Sequence, residues 1–137
     1  MALIHSIMLP LGTAAPDFSL SDPATDEMVS LADFEDKKAL LVTFICNHCP
    51  FVKHVADSFA ALASEYQAKG VGVVAVMSND VANFPDDGPD KMAQEKASRS
   101  YSFPYLYDET QEVAKSFRAT CTPDYFIFDA DQKLVYR

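Results

Sequence analysis

Two cysteines three positions apart, in Cys46-Asn47-His48-Cys49-Pro50, are the residues of this chain best suited to do chemistry. A disulfide needs Cα atoms about 4.4–6.8 Å apart, and the first turn of a helix brings positions three apart that close. The spacing predicts a helix start here, with Cys46 just before it and Cys49 within its first turn. Pro50 suits that turn, where its missing N–H removes no bond. The unpaired N–H groups and partial positive charge of a helix N-terminus stabilise a thiolate, so Cys46 is expected below the ~8.5 of a free cysteine. His48, as an imidazolium or as a donor, would tune the thiolate further, and Lys53 and His54 add positive potential one turn on. The chemistry would be thiol–disulfide exchange: a thiolate attacks a disulfide, and the second cysteine resolves the mixed disulfide. Half of a zinc site has the same spacing, so a metal-binding carrier through Cys46 and Cys49, with His48 or Cys121, is an alternative.

The elements around the pair favour redox chemistry. Residues 39–45 are nearly all apolar and read as a strand buried on both faces, ending at Cys46. A helix over about 49–69 follows, with Val52, Val55, Phe59, Leu62 and Tyr66 as one apolar stripe and Gly70 as its stop. Val71–Met77 is a second buried strand, closed by Ser78-Asn79-Asp80. The loop 84–89 carries proline and acid signals for a helix over about 90–100. Then come a short strand at Tyr105–Tyr107, a helix over 109–117, and strands at 125–128 and Leu134–Tyr136 joined by a turn. Upstream, 18–20 and 28–30 read as a hairpin and Leu31–Phe34 as a helical turn. Strands alternating with helices predict an α/β sheet with helices on both faces. Ligands bind such sheets at the carboxyl ends of strands, which is where Cys46 falls.

Composition narrows the partners. The 137 residues fit one domain, and three cysteines make no disulfide framework. A net charge of −9 argues against a nucleic-acid partner, whose phosphates need Lys and Arg clusters. The first ten residues lack the charged n-region and cleavage site of a signal peptide, and no stretch approaches a membrane span. The expected setting is therefore the cytoplasm, with no membrane partner. Nothing in the sequence forms a nucleotide loop, and no cofactor or resident metal is implied. Cys121 reads first as a buried inert thiol and second as a third redox thiol.

The motifs resemble the thioredoxin-like superfamily, in its redoxin branch related to the alkyl hydroperoxide reductase/thiol-specific antioxidant proteins. Gly12-Thr13-Ala14-Ala15-Pro16-Asp17-Phe18-Ser19-Leu20 is similar to that branch's opening, and Val29-Ser30-Leu31-Ala32-Asp33-Phe34 to its second strand and turn. The segment from Thr43 to Val52 resembles its active site, and Cys121-Thr122-Pro123-Asp124 its cis-proline loop. The resemblance implies a thioredoxin-like fold, a central mixed sheet with helices on both faces, as one domain over 1–137. It implies Cys46 as nucleophile, Cys49 as resolving cysteine, Pro123 as a cis-proline and Thr122 as a backbone ligand for a bound peptide. The partners it implies are a protein or small-molecule disulfide or dithiol and an external thiol reductant.

Three departures stand out. Ile45 replaces the tryptophan before the first cysteine, Leu40 stands where thioredoxins carry a buried proton-moving Asp, and Asn-His replaces Gly-Pro between the cysteines. Thr43-x-x-Cys46 also echoes the peroxiredoxin motif, which makes a thiol peroxidase with Cys46 as peroxidatic cysteine the second alternative; Arg118 does not match that family's peroxide-activating arginine. The family's fold ends in a helix after the last hairpin. The chain ends at Arg137, so the sequence is expected to be C-terminally truncated, lacking that helix, with an uncovered sheet face that favours a homodimer.

Overall fold

The longest apolar runs of the chain become the middle of its sheet. The computed structural model describes residues 9–119 and 121–137; the expected irregular opening over 1–8, with His5, lies outside the described residues. β3 (Ala39–Phe44) and β4 (Val71–Met77) pair in parallel, from Ala39 opposite Val71 to Phe44 opposite Val76. β5 (Tyr105–Tyr107) adds in parallel beyond β4. The hairpin of β1 (Ser19–Asp22) and β2 (Glu27–Ser30) joins that side antiparallel. On the other side β6 (Asp124–Phe128) and β7 (Leu134–Tyr136) are antiparallel as well. The order is β2-β1-β5-β4-β3-β6-β7, a mixed sheet as expected.

The two-residue period of β4 divides its side chains between two cores. Val73, Ala75 and Met77 pack with Val52, Phe59 and Met92 beneath α1 (Pro50–Gln67) and α2 (Pro89–Arg99). Val74 and Val76 face the other way, onto Phe117 of α3 (Glu112–Phe117). Phe117 centres an aromatic cluster there, 5.4 Å from the Phe44 ring and 5.5 Å from that of Phe126. Helices therefore cover both faces.

Two elements depart from expectation. On α1 the buried face is Val52, Ala56, Phe59, Ala60 and Ala63, while Leu62 is 47% and Tyr66 43% exposed. The alanines let the helix lie close on the sheet, so the small residues mark the contact and the larger ones stand beside it. α3 starts at Glu112 rather than 109 because Asp108 caps it from outside. Its Oδ1 accepts the Val113 N–H at 3.4 Å and its Oδ2 the Ala114 N–H at 3.0 Å, across a left-handed Gln111 with φ of 65°.

The topology sets up one busy edge. The parallel strands β3, β4 and β5 end on it, delivering Cys46, Asn79 and Asp108. β6 runs the opposite way, so its start is there too, with Asp124 opposite Phe44. This is how Thr122 comes to meet a cysteine 76 positions away.

Candidate active site

Cys46 follows Ile45, whose N–H donates to the Val76 carbonyl at 3.0 Å and carries the sheet bonding one residue past β3. Cys49 is the N-cap of α1, with φ −67° and ψ 122°, and Pro50 is the first helical residue. The helix thus starts after Cys49, not at it. The N–H groups of Phe51 and Val52 consequently serve the Cys49 sulfur instead of Cys46.

That one-residue shift reverses the expected electrostatics. Cys46 is 2% exposed. Burial pushes its thiol above the ordinary value; the Thr122 hydroxyl offsets part of this, and the Asp87 carboxylate adds to it. Cys49 is half-buried, and its thiol moves down: burial alone would raise it, but hydrogen bonds from Thr122, the Val52 and Phe51 N–H groups and Cys46 together outweigh that. The expectation of a lowered Cys46 is therefore corrected. The stabilising end of the helix points at its partner.

Thr122 links the two sulfurs. The Cys46 Sγ lies 3.5 Å from the Thr122 Oγ1, and the Cys49 Sγ donates to the Thr122 carbonyl at 3.5 Å. The expected cis bond is present between Thr122 and Pro123. Cys121 is exposed, not buried, and lines a groove of about 390 Å³ with Ser78, Asn79, Gln111, Lys115 and Thr122. Lys53 and His54 are exposed on α1. Thr43 donates its hydroxyl to the Asp124 carbonyl at 3.1 Å, and Arg118 is an exposed left-handed residue at the end of α3.

The residue that holds the cysteine loop is one that sequence reasoning passes over. Asp87, at the end of the 3-10 turn Pro85–Asp87, is fully buried. Its Oδ1 accepts the N–H groups of Asn47 at 2.7 Å and His48 at 3.1 Å. Its Oδ2 meets His48 Nδ1 and accepts Asn79 Nδ2 at 3.0 Å. Asn47, also buried, donates to the Asp86 carbonyl at 2.8 Å and accepts the Tyr105 hydroxyl at 3.0 Å. Phe84 stacks flat on the His48 ring, 4.5 Å away and 3° from parallel. In the sequence the acids before Gly88-Pro89 read only as a helix start, and nothing local ties them to a loop 39 residues upstream.

A sulfur of Cys46, a nitrogen of His48 and an oxygen of Asp87 lie within 4.8 Å of one another. A metal ion there would have to displace His48 or Asn79 from an Asp87 whose two oxygens already serve four donors. The arrangement is a hydrogen-bonded histidine–aspartate pair beside the Cys46 sulfur.

A sheet of this order, with paired cysteines at a strand-to-helix turn facing a cis-proline loop, defines a thioredoxin-like protein. The redoxin family model matches residues 10–137, and the chain belongs to that family. An uncharacterised conserved protein from Geobacillus kaustophilus is 50% identical over 100% of this chain and 72% of its own, with a TM-score of 0.97. A hypothetical protein from Sinorhizobium meliloti is 44% identical over 96% of this chain and 71% of its own, with a TM-score of 0.93. The thioredoxin domain of a thiol-disulfide oxidoreductase from Bacteroides vulgatus shares the fold at 19% identity, covering 93% of this chain and 87% of its own, with a TM-score of 0.77. No curated protein matches the chain. Family membership makes this a thiol redox protein, an oxidoreductase.

Proposed function

We propose that this redoxin is a thiol–disulfide oxidoreductase whose working couple is Cys46 and Cys49. The observation that carries the reading is the meeting of both sulfurs on Thr122, beside a groove open to a substrate. One cysteine sulfur bonds to a sulfur of the substrate disulfide, and the other substrate sulfur leaves as a thiol. The second cysteine then displaces the first substrate sulfur and closes the Cys46–Cys49 bridge. Two electrons and two protons pass from the dithiol to the substrate, and an external thiol reductant restores the pair. The substrate is a protein or small-molecule disulfide, and the reverse direction oxidises a dithiol. The same reading sets the protein in the cytoplasm, where thiol pools supply the reductant.

The test is equilibration against glutathione buffers, followed by thiol trapping and mass spectrometry. A reversible two-electron Cys46–Cys49 couple between about −270 and −120 mV is expected. Absence of that bridge at every poise would sink the reading.

A further inference from the structure

A buried thiol needs somewhere to send its proton. Thioredoxins use a buried acid in the strand before the cysteines, and here Leu40 fills that place within the core, 1% exposed. The exchange reading therefore leaves a gap: Cys46 is enclosed, its thiol is pushed up by burial, and its own strand supplies no base.

We propose that Asp87 is the positioning residue that makes His48 the proton acceptor for Cys46 during exchange. The inference rests on the exchange reading and on three features of the site. First, Asp87 occupies His48 Nδ1, which leaves Nε2 as the nitrogen able to take a proton. Second, the Phe84 ring stacked on the imidazole and the Asp87 bond to the His48 backbone N–H fix where that nitrogen stands. Third, a nitrogen of the imidazole, an oxygen of the carboxylate and the Cys46 sulfur lie within 4.8 Å of one another, within the reach of proton transfer through one water. This is the nucleophile, base and orienting acid of acyl-transfer triads, assembled from a cysteine loop and the turn after β4.

The step balances. The Cys46 S–H bond breaks as its sulfur bonds to the substrate sulfur, and the proton moves to His48. The substrate S–S bond breaks, and the departing sulfur takes that proton from His48 and leaves as a thiol. Asp87 holds the imidazolium between the two transfers. The other ionisable groups facing Cys46 are Cys49 on its own loop and Tyr105 on β5. Burial pushes the Tyr105 phenol well above its ordinary range, so it stays neutral.

The test uses the full chain with Cys49→Ser and Cys121→Ser, so that Cys46 alone reacts. Its exchange with bis(hydroxyethyl) disulfide at pH 7 is followed by mass spectrometry, and its thiolate by ultraviolet absorbance. Asp87→Asn is expected to slow exchange about 10²-fold, the lower end of general acid–base effects. The same variant removes a negative charge beside Cys46, so the thiolate forms at an equal or lower pH. A residue acting only through its charge would therefore make Asp87→Asn react faster. His48→Gln is expected to lose as much, and the double variant no more than either single one, because the two act as a unit. An Asp87→Asn rate equal to or above that of the parent overturns the inference.

Should Asp87→Asn fail to fold, nitrogen NMR of the unaltered protein decides. In the neutral form of His48 the proton is expected on Nδ1, and the opposite tautomer overturns the inference. A normal Cys46–Cys49 bridge with an unaffected Asp87→Asn sinks the relay alone, whereas no bridge in the parent sinks the exchange reading.

Discussion

Cys46 and Cys49 carry the same thiol in two environments, and the difference is measurable. Burial and the Asp87 carboxylate move Cys46 up, so its thiolate appears only above the ordinary pH of a cysteine. Net hydrogen bonding moves Cys49 down, so its thiolate appears below that pH. Titration by ultraviolet absorbance, in proteins keeping one of the two and Ser in place of the other and of Cys121, should show Cys49 ionising first. The reverse order would mean that the start of α1 serves Cys46 after all. At this scale the sequence was legible for residue type and opaque for environment. The chain itself points to Cys46, Cys49 and His48, the family resemblance adds Thr122 and Pro123, and the structure brings all five to one edge. Asp87 and Phe84 read only as part of the loop before α2, because nothing local ties them to the cysteines. Each acquires its part only by folding back across β4.

At the scale of elements, apolar runs located β3 and β4, since a strand buried on both faces must be apolar whatever its neighbours. The stripe of larger apolar residues on α1 is not its buried face, because three alanines lie on the side turned to the sheet. Gly72 on β4 shows the same rule from the sheet. A Cβ there would stand 2.8 Å from Cδ1 of Phe34 and 3.2 Å from Cγ of Lys37. Gly72→Ala should therefore destabilise the protein by about 1–3 kcal/mol through overpacking. Urea denaturation measures it, and an unchanged midpoint would show that the Phe34 turn yields freely. The late start of α3 belongs here too, since the capping Asp108 lies outside the helical pattern that period can detect.

Across the whole molecule, one ion pair ties the first hairpin to the helical face. Lys96 of α2 donates to Asp22 Oδ2 at 2.7 Å, and Asp22, 2% exposed, also accepts the N–H groups of Ala24 and Tyr105. Lys96→Met should cost about 3 kcal/mol, as when one partner of a buried pair is removed, because the carboxylate stays behind uncompensated. Chemical denaturation checks this; a loss below about 0.5 kcal/mol, the size of an ordinary surface change, would show that the N–H donors suffice alone. By itself, the sequence determined the α/β architecture with helices on both faces and the cysteine pair at the end of a buried strand. Both follow from properties local to a segment: hydrophobic period, turn chemistry and spacing. Only the tertiary structure decided which cysteine the helix start serves, which acid holds His48, and that Thr122 joins both sulfurs. Those depend on hydrogen bonds between residues tens of positions apart, and such bonds exist only once antiparallel β6 and the turn after β4 have been brought to the same edge.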